Sequence, residues 1–149
     1  MANKKLSEMT EEELLQLVKK YYDEMDYIMT EEEDEEACEK VYKKYIKAYE
    51  QLLSNDFDKY VKIMLEEYTK FADFLFYMTY ENRAINVLLK RLELCKKLGE
   101  TNLDYKAETE ISYNELGDYY DGIGRTKKAE EMYALADEIA EEFKKKFNL

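Results

Sequence analysis

The side chains that could carry chemistry in this chain are carboxylates, tyrosines and two cysteines, because the sequence contains no histidine. The usual general base, a Ser-His or Cys-His nucleophile pair and the Glu-x-x-His sites of di-iron bundles are therefore excluded. The sequence has no glycine-rich phosphate loop, and two cysteines without histidine are too few ligands for zinc. We expect no enzyme, no catalytic residue and no cofactor.

The densest group of carboxylates is the acidic run at residues 31–36. A Ca²⁺ or Mg²⁺ site made of carboxylates alone stays open, although this run lacks the Asp/Asn-Gly pattern of a calcium-binding loop. Thr30 precedes the run as Thr10 precedes Glu11 to Glu13, and a threonine followed three residues later by glutamate is a capping box. Both runs are therefore interpreted as acidic helix starts, with Thr10 and Thr30 as the caps.

The remaining composition restricts the location and the partners. Cys38 and Cys95 lie in apolar stripes without a Cys-x-x-Cys pair, so we expect buried free thiols. The formal net charge of −12 would repel nucleic-acid phosphates, so no nucleic acid is expected. Residues 1–9 contain no apolar leader, and no stretch approaches the roughly 18 apolar residues of a membrane span. We expect a cytoplasmic protein that binds no membrane.

An all-α fold is predicted, because the chain has no proline and only four glycines to interrupt helices. Apolar residues recur at helical spacing over six segments. The predicted helices cover approximately residues 11–28, 31–53, 56–78, 80–98, 103–121 and 126–147. Gly99 is predicted to end the fourth helix in the left-handed conformation, which glycine adopts at little cost.

The last third of the chain contains the most distinctive motif. It combines large side chains with small ones, in the order Tyr113, Leu116, Gly117, Tyr120, Gly124, Ala129, Tyr133 and Ala136. The motif resembles the tetratricopeptide repeat, a helix–turn–helix unit. In this resemblance, Gly117 and Ala129 are the small residues that let the two helices of a hairpin approach closely.

Two weaker copies of the motif precede it. In every copy a tyrosine is followed 16 residues later by an alanine: Tyr21 and Ala37, Tyr68 and Ala84, Tyr113 and Ala129. The copies begin 47 and 45 residues apart, which exceeds the usual repeat of about 34 residues and is similar to long-helix variants of the family. The first copy departs most, since Met25 stands where the third has Gly117, and Lys44 where the third has Ala136.

The resemblance implies one domain over residues 1–149, a right-handed superhelix of three antiparallel helical hairpins. The hairpins would cover residues 11–53, 56–98 and 103–147, and residues 1–9 are expected to be flexible. Proteins of this family act as adaptors in protein–protein interaction, binding a protein or peptide on their concave face.

In this family the first helix of each hairpin lines the concave face, and its positions can be carried over to this chain. The predicted partner-binding residues are, hairpin by hairpin, Tyr22, Asp26 and Met29; Thr69, Asp73 and Phe76; and Asn114, Asp118 and Asp121. A column of three aspartates would favour a basic partner, and Tyr22, Met29 and Phe76 would be its apolar anchors.

Two alternatives to the adaptor remain. An acidic chain can mimic nucleic acid and inhibit a DNA- or RNA-binding enzyme, which the charge of −12 favours. Alternatively, the end hairpins of stacked repeats can pack between chains and produce a self-associating structural unit, so a homo-oligomer stays open.

Overall fold

A computed structural model describes residues 4–148, and this part of the chain is all-helical, with no strand. Short 3₁₀ and π-helical turns lie at Leu6–Glu8 and Ile28–Glu32. The α-helices are α1 (Glu11–Tyr27), α2 (Glu35–Asn55), α3 (Phe57–Tyr77), α4 (Glu81–Gly99), α5 (Leu103–Gly122) and α6 (Thr126–Phe147). The predicted all-α class and the six helices are confirmed. No helix within residues 4–148 is long and apolar enough to cross a membrane.

The chain divides into two compact units, residues 1–71 and 72–149, with the boundary inside α3. In the first unit α1 packs against α2, and in the second α5 packs against both α4 and α6. Leu14 and Leu52 are almost fully buried in the first core, as are Leu116 and Cys95 in the second. Cys38 is buried as well, so the prediction of two buried free thiols is confirmed.

The first predicted helix start is confirmed and the second is wrong. Thr10 forms a complete capping box with Glu13. The hydroxyl of Thr30 instead donates to the carbonyl of Asp26 at 2.8 Å, as a threonine does inside a helix, so α1 continues into the π-helical turn. The chain leaves this turn at Glu33, whose φ is 51°, and Asp34 caps α2 by accepting from the amide of Ala37 at 3.0 Å.

The prediction of a left-handed Gly99 is also wrong. Among the residues from 4 to 148, Gly124 is the one glycine with a positive φ, whereas Gly99 is the last residue of α4. Gly99 is needed for close approach, because a Cβ atom there would lie 3.1 Å from the Cα of Lys106 on α5. As for the predicted flexible segment 1–9, residues 1–3 lie outside the described residues, while Lys4 pairs with Glu13 at 3.1 Å.

The turns after α3 and α5 are closed by the same hydrogen bonds, shifted by 45 residues. The amide of Tyr80 donates to the carbonyl of Leu75 at 2.8 Å, and that of Arg125 donates to the carbonyl of Tyr120 at 2.9 Å. The amide of Thr79 also donates to the carbonyl of Phe76, and that of Gly124 donates to the carbonyl of Asp121. These bonds complete two Schellman motifs, in which Thr79 and Gly124 are the left-handed residues. The 45-residue period seen in the sequence is therefore present in the backbone.

The first hairpin follows a register one residue away from the predicted one. The residue at the cap of α2, α4 and α6 is Asp34, Tyr80 and Arg125 respectively. Four residues after each cap stands a small buried residue: Cys38, Ala84 and Ala129. Cys38 thus takes the place predicted for Ala37, and buried Tyr45 the place predicted for exposed Lys44. The π-helical turn supplies the extra residue, which sequence spacing did not show.

Candidate binding surface

Asp118 is an exposed carboxylate on α5 that is held in place by α6. The hydroxyl of Tyr133 donates to Oδ1 of Asp118 at 2.5 Å, and this bond raises the pKa of Tyr133 to about 12. The Tyr133 ring reaches Asp118 by lying across Gly117, where a Cβ atom would come within 2.5 Å of the ring. The motif residues Gly117 and Tyr133 therefore position a predicted partner-binding residue.

Asp73 is held in the same way, but by a different helix. The hydroxyl of Tyr119 on α5 donates to Oδ1 of Asp73 near the end of α3. The Tyr119 ring also packs edge-on against Phe76, with ring centroids 4.5 Å apart. Burial and this hydrogen bond raise the pKa of Tyr119. Asp73, Phe76 and Asp118 are thus brought onto adjoining parts of the second unit.

Asn114 and Asp121 lie on the exposed side of α5 with Asp118. Their spacings of four and three residues place all three on one stripe of the helix. Ile111, which is 47% exposed, extends this stripe by one turn towards the start of α5. Ile111 could not be foreseen as a surface residue from the sequence, because apolar residues at helical spacing normally belong to the core.

Glu115 lies beneath this surface and was also missed. Burial raises the pKa of its carboxyl group, Arg91 opposes that shift, and Asp73, Glu108 and Asp118 add to it. Its Oε2 atom is buried and has no hydrogen-bond partner. In the sequence, Glu115 follows Ser112 by three residues, so the two side chains lie on the same side of α5. Because Ser112 faces α4, this spacing is the one signal that could have indicated an inward position for Glu115.

Arg91 joins α4 to α5 from a buried position. Its guanidinium donates to Oγ of Ser112 and to Oε2 of Glu108, the latter at 3.0 Å. Arg91 stands 45 residues before Ala136, so it occupies in the second copy of the motif the position that Ala136 occupies in the third. The repeat pattern has a small residue at this position. The charge is accommodated because Glu108 and Ser112 supply polar acceptors on α5.

The first unit carries the remaining predicted residues. Tyr22, Asp26 and Met29 are exposed, and Met29 lies in the π-helical turn rather than on α1. The Tyr22 ring packs near that of Tyr45 on α2, with centroids 6.4 Å apart. Thr69 is half-buried, and its hydroxyl donates to the carbonyl of Leu65 at 3.2 Å, so that group is already used within α3.

A cleft of about 290 Å³ lies elsewhere in the second unit, between the end of α4, α5 and α6. Tyr113, Leu135 and Ile139 form its apolar lining, and the ion-paired Lys106 and Glu142 also line it. None of the nine predicted partner-binding residues lines this cleft. Within residues 4–148 no three Cys, Asp or Glu side chains are arranged to hold a metal ion.

No protein-family model matches this sequence, and neither a curated protein nor a solved structure is similar enough to count as a match.

Proposed function

We propose that this chain is a non-enzymatic adaptor that binds a protein or peptide with basic side chains through an acidic and aromatic surface. Asp73 and Asp118 would accept hydrogen bonds from lysine or arginine of the partner, and Phe76 would contact an apolar side chain. Asn114 and Asp121 would extend the surface along α5. In this proposal the three hairpins form a tetratricopeptide-like superhelix, and these residues lie on its concave face.

One observation carries the proposal: Asp73 and Asp118 are both exposed, and each accepts a tyrosine hydroxyl. A carboxylate has about four lone-pair sites, so each aspartate keeps acceptor capacity for a partner. Because the hydroxyls fix the orientation of the carboxylates, less side-chain entropy is lost when a basic group binds. Charge-assisted hydrogen bonds of this kind are the strong ones.

The placement of the acidic residues also favours a role in binding over a role in folding. Asp121 lies in the last turn of α5, which carries no basic residue. The carboxyl end of a helix is partially negative, so acidic side chains there destabilise the helix. Residues that oppose local stability are expected at functional sites.

The superhelix is supported by the backbone equivalence at 45 residues. The matching Schellman motifs after α3 and α5 give the two helices equivalent ends, and Tyr119 brings α5 into contact with Asp73 and Phe76 of α3. Contact between the first helices of successive hairpins is the arrangement that stacked repeats require.

Selection from a random peptide library displayed on phage tests the proposal. Sequences that bind the purified protein should be enriched in lysine and arginine, with at least one large apolar residue. Preincubation with the selected peptide should protect the Asp73 and Asp118 region from hydrogen exchange. Enrichment of acidic or uncharged sequences, or no enrichment, would overturn the proposal.

A further inference from the structure

Three exposed apolar side chains form a stripe along the first unit that the core does not use. Leu15, Tyr22 and Met29 are 41%, 59% and 38% exposed and follow one another at intervals of seven residues. Seven residues are almost two helical turns, so the three side chains lie on one side of the segment, over a length of about 21 Å. We call Leu15, Tyr22 and Met29 the α1 stripe.

Residues of α2 and α3 border the α1 stripe. One turn before Leu15, Glu11 pairs with Lys59 of α3 at 2.7 Å. One turn after Lys59, Ile63 is 37% exposed, which places another apolar side chain on the α3 side. The Tyr45 ring near Tyr22 belongs to α2. The α1 stripe is therefore bordered by both α2 and α3.

The charge around the α1 stripe indicates what can cover it. Residues 11–32 contain eight acidic and two basic side chains, so this segment carries half of the net charge of −12. A two-fold dimer through the stripe would bring the same negative segment against itself, and like charges across an interface are costly. An anionic membrane surface is disfavoured for the same reason.

We propose that the α1 stripe docks an amphipathic helix of a partner whose polar side is basic. Apolar side chains at heptad intervals match a helix that repeats its own apolar residues every three to four residues. Tyr22 is the central anchor, and the exposed carboxylate of Asp26, one turn after Tyr22, faces the basic side chains. This inference rests on the proposed function and adds the helical form of the partner and the role of Leu15.

A synthetic peptide of about 18 residues, with leucine at heptad positions a and d and lysine elsewhere, tests the proposal by titration calorimetry. An isomer with the same composition but a scrambled apolar period controls for charge. The variant Leu15→Gln/Tyr22→Gln removes two anchors from the stripe. The control variant Leu89→Gln/Leu103→Gln removes two apolar side chains, 36% and 38% exposed, from the second unit.

The periodic peptide should bind the unaltered protein roughly tenfold more tightly than its scrambled isomer, and Leu15→Gln/Tyr22→Gln should remove that difference. The control variant should keep it. Equal binding of both peptides would overturn the helical partner. A dimer of the unaltered protein that is lost in Leu15→Gln/Tyr22→Gln would also overturn it, because a second copy would then be the occupant of the stripe. Sensitivity to Asp73→Lys/Asp118→Lys alone would refute the stripe and leave the proposed function standing. Absence of binding by either peptide would overturn the docking of a helix on the stripe, whereas the proposed function is tested separately by the library selection.

Discussion

The ring of Tyr133 on α6 lies so close to Gly117 of α5 that a Cβ atom at residue 117 would be 2.5 Å from Cε1 of the ring. The same tyrosine donates its hydroxyl to Asp118, the residue that follows Gly117. The small residue of the repeat motif thus makes room for the side chain that orients the candidate site. Packing and binding are connected at this point of the second unit.

Gly117→Ala should therefore destabilise the protein, although alanine is the better helix former. Displacing the Tyr133 ring should cost about 1–3 kcal/mol of unfolding free energy, measured by urea denaturation. Gly122→Ala is the control, because the nearest atom to its Cβ would be Cζ of Phe76 at 3.4 Å, an ordinary contact. The Gly117→Ala cost should shrink in a Tyr133→Ala background, and an unchanged cost there would contradict the contact.

The Tyr133–Asp118 bond predicts a late tyrosine titration. Because the bond raises the pKa of Tyr133 to about 12, the folded state holds this proton more tightly than the unfolded state, where tyrosine titrates near pH 10. The stabilisation is present below about pH 10 and is lost as the pH rises through about 12. Ultraviolet titration of Tyr133→Phe should lack one late phenolate step. Loss of a phenolate step near pH 10 instead of a late one would show that the bond is absent.

Glu115 should make the fold less stable at neutral pH than at acidic pH. Burial raises the pKa of its carboxyl group, so the folded state favours the protonated form. Stability from this group is present below the unfolded value of 4.5 and is lost as the pH rises through the folded value. Glu115→Gln should raise the urea midpoint at pH 7, and this gain should vanish at low pH. Exposed Glu130→Gln serves as the control, and a destabilised Glu115→Gln would refute the assignment.

The two equivalent turns predict opposite effects of exchanging their left-handed residues. Thr79 has a φ of 64°, which is strained for a β-branched side chain, so Thr79→Gly should stabilise the fold by about 0.5–1 kcal/mol. At the equivalent position Gly124→Thr should destabilise it by about 1–2 kcal/mol. Nothing surrounds a Cβ atom at Gly124, so the cost would be conformational. Calorimetric melting of both variants measures the effects, and changes of equal sign would contradict the equivalence.

The helices could be predicted from the sequence because their apolar period is regular and few residues break them. The repeat motif predicted the contact at Gly117, since few positions in a helix pair require glycine. The π-helical turn at Thr30 could not be foreseen, because threonine bonds equally well as a cap or back to the preceding turn. That turn shifted the small position from Ala37 to Cys38.

The candidate site could be predicted only in part. The concave-face positions of the family, carried over to the first helix of each hairpin, gave the exposed residues Asp73, Asn114, Asp118 and Asp121. The tyrosines that hold two of these aspartates come from other helices, and single-sequence spacing does not specify such long-range pairs. Glu115 was missed because a glutamate on an amphipathic helix is normally exposed.

The most direct measurement is a calorimetric titration of the best basic peptide from the library selection into three forms of the protein. Asp73→Lys/Asp118→Lys should weaken binding by more than about tenfold relative to the unaltered protein. Glu130→Lys/Asp137→Lys makes the same change in net charge on the exposed face of α6 and should weaken binding far less. Equal losses in both variants would show that net charge alone attracts the peptide, and would contradict a binding surface at Asp73 and Asp118.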